Sequence, residues 1–380
     1  MKISSQYYMM LVCSVISMLA IYRPSVCQAE DMWYDMWHMK ISFTNYNRTE
    51  TLSNFPALVI FSNNMAGSGF DFRKFRSANG YDLRFWNDLK TTNLNYEIDN
   101  WSTGSSSYVW VQIPKFTNNS YIWATWGGSL VQTNRPAYTT NGATWQQGYS
   151  CVWHFKAGAG NLGADSCSNF NNLVTENNSP SYSAGGKNGG ALYLDGSSTM
   201  IKEGGAFSTG VPISNQAYTV TSWAKAETNC LLTGGWYGWG NLAPSQGNNM
   251  RLWGNYTSVW RCWNNDDVGG VLPSGSFTND YHFVVDTWDG VKCKIYLDGV
   301  MVTSTPPPNG QPNVGTNIFR IGKTLYDVNF KGWVDDLMIS SVVRSSNWIW
   351  ACYMNQASNS SFVAPGSVKF YASGTVLGIR

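Results

Sequence analysis

Residues 281–304 read Tyr281-His-Phe-Val-Val-Asp-Thr-Trp-Asp-Gly-Val-Lys-Cys-Lys-Ile-Tyr-Leu-Asp-Gly-Val-Met-Val-Thr-Ser304. Two β-branched and aromatic runs are each closed by Asp-Gly, at Asp289-Gly290 and Asp298-Gly299. A two-residue hairpin turn needs positive φ, which Asp-Gly supplies, so the pattern predicts an antiparallel meander. In the middle strand Val291, Cys293, Ile295 and Leu297 fall on one face, and Lys292, Lys294 and Tyr296 on the other. The expectation is one face on a core and one toward water.

Composition extends this β reading to the whole chain of 380 residues, which is long enough for two domains. Hydrophobic residues make up 43% and charged residues only 13%, against about 25% in ordinary globular domains. Polarity comes from Asn, Ser, Thr and Gly, accompanied by 19 Trp and 21 Tyr. A net charge of +2 without a Lys/Arg cluster gives no electrostatic case for nucleic acid.

The N-terminus reads as a secretory signal over residues 1–29. Lys2 supplies the positive region, Tyr8 to Ile21 the apolar one, and cleavage is expected after Ala29. The apolar run falls short of the ~20 residues a membrane span needs, so the cleaved protein is expected not to span a membrane. It would be secreted, periplasmic or displayed at the cell surface. Six cysteines remain: Cys151, Cys167, Cys230, Cys262, Cys293 and Cys352. An even number in an exported chain makes them disulfide candidates, with 15 pairings open. Cys293, on the apolar face of its strand, also fits a buried thiol. No Cys-x-x-Cys occurs, and His38, His154 and His282 are scattered.

Strand-like runs separated by turn residues occur at Trp37 to Phe43, Phe55 to Phe61, Tyr81 to Trp86, Asn95 to Ile98, Tyr108 to Ile113 and Tyr121 to Trp126. This is the pattern of a β-sandwich. Leu52-Ser-Asn-Phe-Pro-Ala-Leu-Val, Gly80-Tyr-Asp-Leu-Arg-Phe, Asn95-Tyr-Glu-Ile-Asp-Asn-Trp101, Val109-Trp-Val-Gln-Ile-Pro114 and Ile122-Trp-Ala-Thr-Trp-Gly-Gly128 resemble, in order and spacing, the DUF2341 family. That is a bacterial exported domain of unestablished activity, and its usual Tyr-Tyr-Gly-Asn ending is altered here. Further on, Ser150-Cys-Val-Trp-His-Phe, Gly190-Ala-Leu-Tyr-Leu-Asp-Gly196, Tyr218 to Ala224, the meander and Phe330 to Ile339 resemble the laminin-G-like, concanavalin A-like jelly roll. Residues 344–356 resemble its closing helix, with Ser346 as a candidate cap.

The expected architecture is all-β, with two β-sandwich domains, the second a concanavalin A-like jelly roll, and a short C-terminal helix. The boundaries are a DUF2341-like sandwich at 30–130, a linker at 131–149, the jelly roll at 150–357 and a tail at 358–380.

Catalysis is not expected. A glycosidase needs two carboxylates flanking the scissile bond, and no Glu-x-Asp-x-x-Glu run exists. Glu97 and Asp99 form the nearest same-face pair and read as a polar strand end. Asp335 and Asp336, adjacent on a strand, should point to opposite faces. No nucleophile elbow, His-Glu-x-x-His or phosphate loop is present. No cofactor is firmly implied. Calcium is a candidate at Asp165, in a loop rich in oxygen donors, since some laminin-G-like domains bind calcium at the sheet rim.

Aromatic rings flanked by glycine mark the candidate ligand site: Trp236, Tyr237, Trp239, Asn241 and Trp253. The expected function is non-enzymatic recognition or adhesion, with a glycan or cell-surface protein as partner. The alternative is a periplasmic structural or assembly module beside an energy-transducing membrane complex, because proteins pairing the two resembled domains also occur there.

Overall fold

The computed structural model describes residues 36–128, 133–158, 161–205, 209–262, 267–273, 275–326 and 328–372. The expected signal at 1–29 lies outside them, as do 131–132 of the linker, 373–380 of the tail and the side chain of Cys262. The chain is all-β, with two β-sandwiches and one short C-terminal helix of any length, Ser346–Ala357, followed by a single turn at Asn359–Phe362. Among the described residues no helix is long and apolar enough to cross a membrane.

The first sandwich pairs two antiparallel sheets. One is ordered Arg84–Trp86, Tyr121–Trp126, Met36–Phe43, then Val363–Pro365, with Lys369–Tyr371 also on Met36–Phe43. The other is ordered Leu52–Phe61, Ser107–Phe116, Tyr96–Asn100. The segment expected as a tail therefore supplies two strands to the N-terminal sandwich. The expected linker is also structured: it makes tight turns at Ala137–Thr139 and Ala143–Trp145 and buries Trp145.

The jelly roll pairs an eight-stranded with a seven-stranded sheet. The meander lies at one edge of the first, with Val300–Thr305, Cys293–Leu297, His282–Trp288, Tyr218–Ala226 and Lys331–Ser340 as successive neighbours. Its two Asp-Gly turns differ. Leu297 pairs with Val300, so Asp298 (φ +50°) and Gly299 (φ +76°) form the expected two-residue turn. Trp288 instead pairs with Cys293, leaving a four-residue turn in which Asp289 Oδ1 accepts from the amides of Val291 (3.0 Å) and Lys292 (2.7 Å). Val291 is therefore outside the strand and 62% exposed rather than on the core face.

The second face of this sheet does not meet water. All seven residues of His282–Trp288 are buried. Val284, Ile295 and Leu297 enter the core between the jelly-roll sheets. Phe283, Val285, Tyr296 and Trp223 point the other way, into an apolar cluster shared with helix residues Trp348 and Ile349 and with Phe55, Val59 and Phe116 of the first sandwich. The two sandwiches and the helix thus bury a common core. The helix is capped by Ser345, whose Oγ accepts from the Trp348 amide at 3.1 Å, one residue earlier than expected.

Cys151, Cys167, Cys230, Cys293 and Cys352 are buried free thiols, and no disulfide joins the described residues. The disulfide expectation is corrected on this point. These side chains fill the core as small apolar groups, and burial pushes all five thiols up, so they stay neutral.

Candidate functional site

The structure places three of the five expected ligand residues in the core. Trp236, Tyr237 and Trp239 lie on the strand Gly235–Gly240, every residue of which is buried. Trp236 Nε1 donates to Ser222 Oγ (3.1 Å), Tyr237 OH to Asp286 Oδ1 (2.5 Å) and Trp239 Nε1 to the Pro212 carbonyl (2.9 Å). Glycine here serves close approach rather than a loop. A Cβ on Gly235 would lie 2.1 Å from Thr324 Cγ2, and one on Gly238 would lie 2.5 Å from Asn249 Oδ1. Asn241 is half-buried: its Nδ2 donates to Gln246 Oε1 in its own turn (2.8 Å), and its Oδ1 accepts from the amide of Asn317, 76 residues away (3.2 Å). Trp253 alone stays open, 40% exposed beside Trp260 and Arg251.

Asp165 is likewise structural. Its Oδ1 accepts from the amides of Val152 (2.9 Å) and Cys167 (3.0 Å), and Oδ2 from that of Asn171 (2.8 Å). Both oxygens are committed to pinning this loop to the first jelly-roll strand, so the candidate calcium role does not fit the residue.

Ionisable groups converge elsewhere, where the two sandwiches meet. The strand Tyr96–Asn100 projects Glu97 and Asp99 from one face toward the jelly roll. Lys156 and His154 meet them from the end of the strand Tyr149–Trp153. Glu97 accepts three hydrogen bonds, from Trp145 Nε1 (2.6 Å), Ser166 Oγ (2.7 Å) and Lys156 Nζ. Burial alone would raise its pKa, but the Lys156 ammonium and the hydrogen bonds from Lys156 and Trp145 outweigh it and hold the carboxyl below the usual range. Glu97 is therefore a fixed anion.

His154 is fully buried between the rings of Trp110 and Trp145, with centroids 5.5 and 5.3 Å away. Its Nδ1 lies 2.5 Å from Asp336 Oδ1 and 4.0 Å from Asp99 Oδ2; Nε2 is 4.0 Å from Glu97 Oε2. Burial lowers the imidazole pKa despite the nearby carboxylates Asp99 and Glu97, and a hydrogen bond joins Nδ1 to Asp336. Burial raises Asp99, Asp335 and Asp336.

Asp335 and Asp336 do not point apart as strand alternation predicted. The pairing of Lys331–Ser340 with Tyr218–Ala226 slips between Thr221 and Trp223, setting two residues, Asp336 and Leu337, against Ser222 alone. Asp336 sits at φ +44° in this bulge. Both carboxylates turn onto Asn188, Asp335 Oδ2 accepting from its amide (2.9 Å) and Asp336 Oδ2 from its Nδ2 (2.7 Å).

Beside this cluster opens a polar cleft of about 310 Å³. Glu97, Asp99, Asn100 and Trp101 of one strand and its continuation line it, together with Arg135, Asn161 and Tyr182. Tyr182 is 38% exposed. A second hollow of about 530 Å³ lies on the first sandwich alone, around Asn87, Pro114 and Asn119, without such a convergence of buried charge. Among the described residues, Asp99, His154 and Asp336 are the group able to hold a metal ion, with ligand atoms all within 4.8 Å of one another.

The fold defines the class as a concanavalin A-like jelly roll joined to a smaller β-sandwich. Within it, residues 195–350 match the Laminin_G_3 family model, described as the concanavalin A-like lectin/glucanases superfamily. No curated protein matches the chain. Similar solved structures include domain 4 of AbnA, a GH43 extracellular arabinanase from Geobacillus stearothermophilus, in complex with arabinotriose. It shows 23% identity over 53% of this chain and 97% of that one, with a TM-score of 0.42. The binding domain of Paraclostridial Mosquitocidal Protein 1 shows 13% identity over 54% and 52%, with a TM-score of 0.42. The receptor binding domain of botulinum neurotoxin C/D mosaic serotype shows 14% over 55% and 51%, also at 0.42. The chain spans about half the length of these two toxin domains.

Proposed function

We propose that this chain is a non-enzymatic recognition protein that takes a saccharide, free or on a cell surface, in the cleft between its two sandwiches. The observation that carries the reading is the lining: the partly exposed Tyr182 and the residue Trp101, whose ring packs on Phe72 and Phe75, beside Asn100, Asn161, Arg135, Thr139 and Thr140. Sugar rings offer apolar C–H faces to aromatic side chains and hydroxyls to amide and guanidinium groups. Concave sites at domain junctions with a few convergent polar groups are where small polar ligands settle. The lectin-type fold of residues 195–350 supports the class, while every cleft residue lies outside that segment.

Binding rather than cleavage is favoured by the state of Glu97. Three donors fix it as an anion, which leaves Asp99 without a free carboxylate partner across a scissile bond. Export belongs to the same reading and is supported by Lys2 and the apolar run Tyr8 to Ile21. Sequencing of the mature N-terminus tests it, with a chain beginning at Glu30 expected. The DUF2341-like assignment of residues 30–130 likewise rests on the motifs between Leu52 and Gly128.

A glycan array tests the binding reading with wild type, Tyr182→Ala and Trp253→Ala. Binding that is lost in Tyr182→Ala and kept in Trp253→Ala supports the cleft. Loss only in Trp253→Ala would return the site to the far edge of the jelly roll. A folded wild type that binds no glycan would favour the assembly role.

A further inference from the structure

We infer that Asp99, His154 and Asp336 form a divalent transition-metal site, of the Zn²⁺ or Mn²⁺ type, that bridges the two sandwiches beside the cleft. Two kinds of observation carry this beyond a cluster of acidic side chains. The first is unsatisfied chemistry aimed inward. Asp99, with 4% of its side chain exposed, has an Oδ2 that accepts no hydrogen bond and lies 4.0 Å from Nδ1 of fully buried His154. Buried polar atoms of this kind are nearly always paired in folded proteins.

The second is charge. Glu97, Asp99, Asp335 and Asp336 bring four carboxylates together, against Lys156 and, at the exposed cleft wall, Arg135. Carboxylates gathered away from water with fewer cationic side chains around them are costly to keep, and a divalent cation offsets that cost.

The geometry suits one imidazole and two carboxylates. Nδ1 lies 2.5 Å from Asp336 Oδ1 and 4.0 Å from Asp99 Oδ2. Ligand atoms about 2.0–2.1 Å from a tetrahedral zinc sit roughly 3.3 Å apart, a spacing these two distances bracket. A neutral imidazole that carries its proton on Nε2 offers the Nδ1 lone pair to the metal. Nε2–H then faces Glu97 Oε2, 4.0 Å away. A carboxylate in the outer ring is what orients metal-bound histidines, and Glu97 stands about 1 Å short of a direct hydrogen bond to Nε2. Glu97 is held ready by Trp145, Ser166 and Lys156. An imidazole in the set disfavours Ca²⁺, which takes six to eight oxygen ligands. Asp99 lines the cleft, which sets one of the three ligands at its wall. The inference is independent of whether the cleft takes a sugar.

The test uses the full chain stripped with a chelator, then titrated calorimetrically with ZnCl₂, MnCl₂, CaCl₂ and MgCl₂ separately, with metal content measured after dialysis. Expected are one equivalent of Zn²⁺ or Mn²⁺ per chain, a higher melting temperature with the ion, and at least a tenfold loss of affinity in Asp99→Asn. Asp99→Asn is the variant of choice because Asp99 Oδ2 accepts no hydrogen bond, and circular dichroism checks its fold; His154→Gln serves as the second variant. No stoichiometric binding by folded wild type, a preference for Ca²⁺, or unchanged affinity in both folded variants would overturn the assignment.

Discussion

The side chain of Asn355 completes the backbone of Leu58: its Oδ1 accepts from the Leu58 amide at 2.6 Å and its Nδ2 donates to the Leu58 carbonyl at 3.0 Å. Leu58 lies on Leu52–Phe61, the edge strand of the three-stranded sheet, so a helix that follows the jelly roll seals an edge of the first sandwich. Asn359 also donates to the Leu58 carbonyl, but only Asn355 serves the buried amide. Asn355→Ala is therefore expected to cost about 1–3 kcal/mol, the penalty for an orphaned buried donor. Chemical unfolding measures it, and Asn359→Ala should cost less.

Trp239 and Trp253 separate core from surface within the tryptophan-rich segment. Trp239→Ala removes a fully buried ring stacked on Tyr237 and Phe319 and should cost about 3–5 kcal/mol. Trp253→Ala should stay within about 1 kcal/mol. Thermal melts of the two variants decide this, and equal losses would contradict the burial assigned to Trp239.

Asp286 is buried between Arg261 Nε (2.8 Å) and Tyr237 OH (2.5 Å). Burial raises its pKa even beside the guanidinium, as expected for a pair that gives up hydration on both sides. Asp286→Ala removes the buried carboxylate that Arg261 Nε and the Tyr237 hydroxyl both donate to and should destabilise by about 3–5 kcal/mol in urea unfolding.

Asp195 provides a pH signature away from the cleft. Hydrogen bonds from Ser197, first its amide and then its hydroxyl, lower the carboxyl to about 2, with the Ser198 amide adding to them. The unfolded chain takes up this proton near pH ~3.9, so the stabilisation is complete above that value and is lost as pH falls toward 2. A carbon-13 NMR titration should show Asp195 with its midpoint near 2; an ordinary midpoint near 4 would mean that the turn does not form in solution.

The fold was legible where local chemistry acts alone. Asp298-Gly299 forms the two-residue turn its sequence predicts, and the alternation of Ile295 and Leu297 with Tyr296 correctly separates two faces. What lies on the second face was not legible, because the helix and first sandwich that cover it are distant in sequence. The Trp236–Trp239 segment misled for a related reason. Its glycines read as loop residues, whereas Thr324 and Asn249 of neighbouring segments need the space.

The charged cluster was hidden twice. Glu97 meets Lys156 from 59 residues away, and His154 meets Asp336 from 182. Alternation also argued against Asp335 and Asp336 acting on one side, until the bulge at Asp336 turned both onto Asn188. The signal that could have found the site was the same-face pair Glu97 and Asp99, two carboxylates in a chain otherwise poor in charge.

The central claim is that the cleft between the sandwiches is the recognition site. Calorimetric titration of wild type and Tyr182→Ala with the best saccharide from a glycan array tests it most directly. The account predicts saturable binding by wild type that falls at least tenfold in the folded variant. Equal affinity in the two proteins would contradict it.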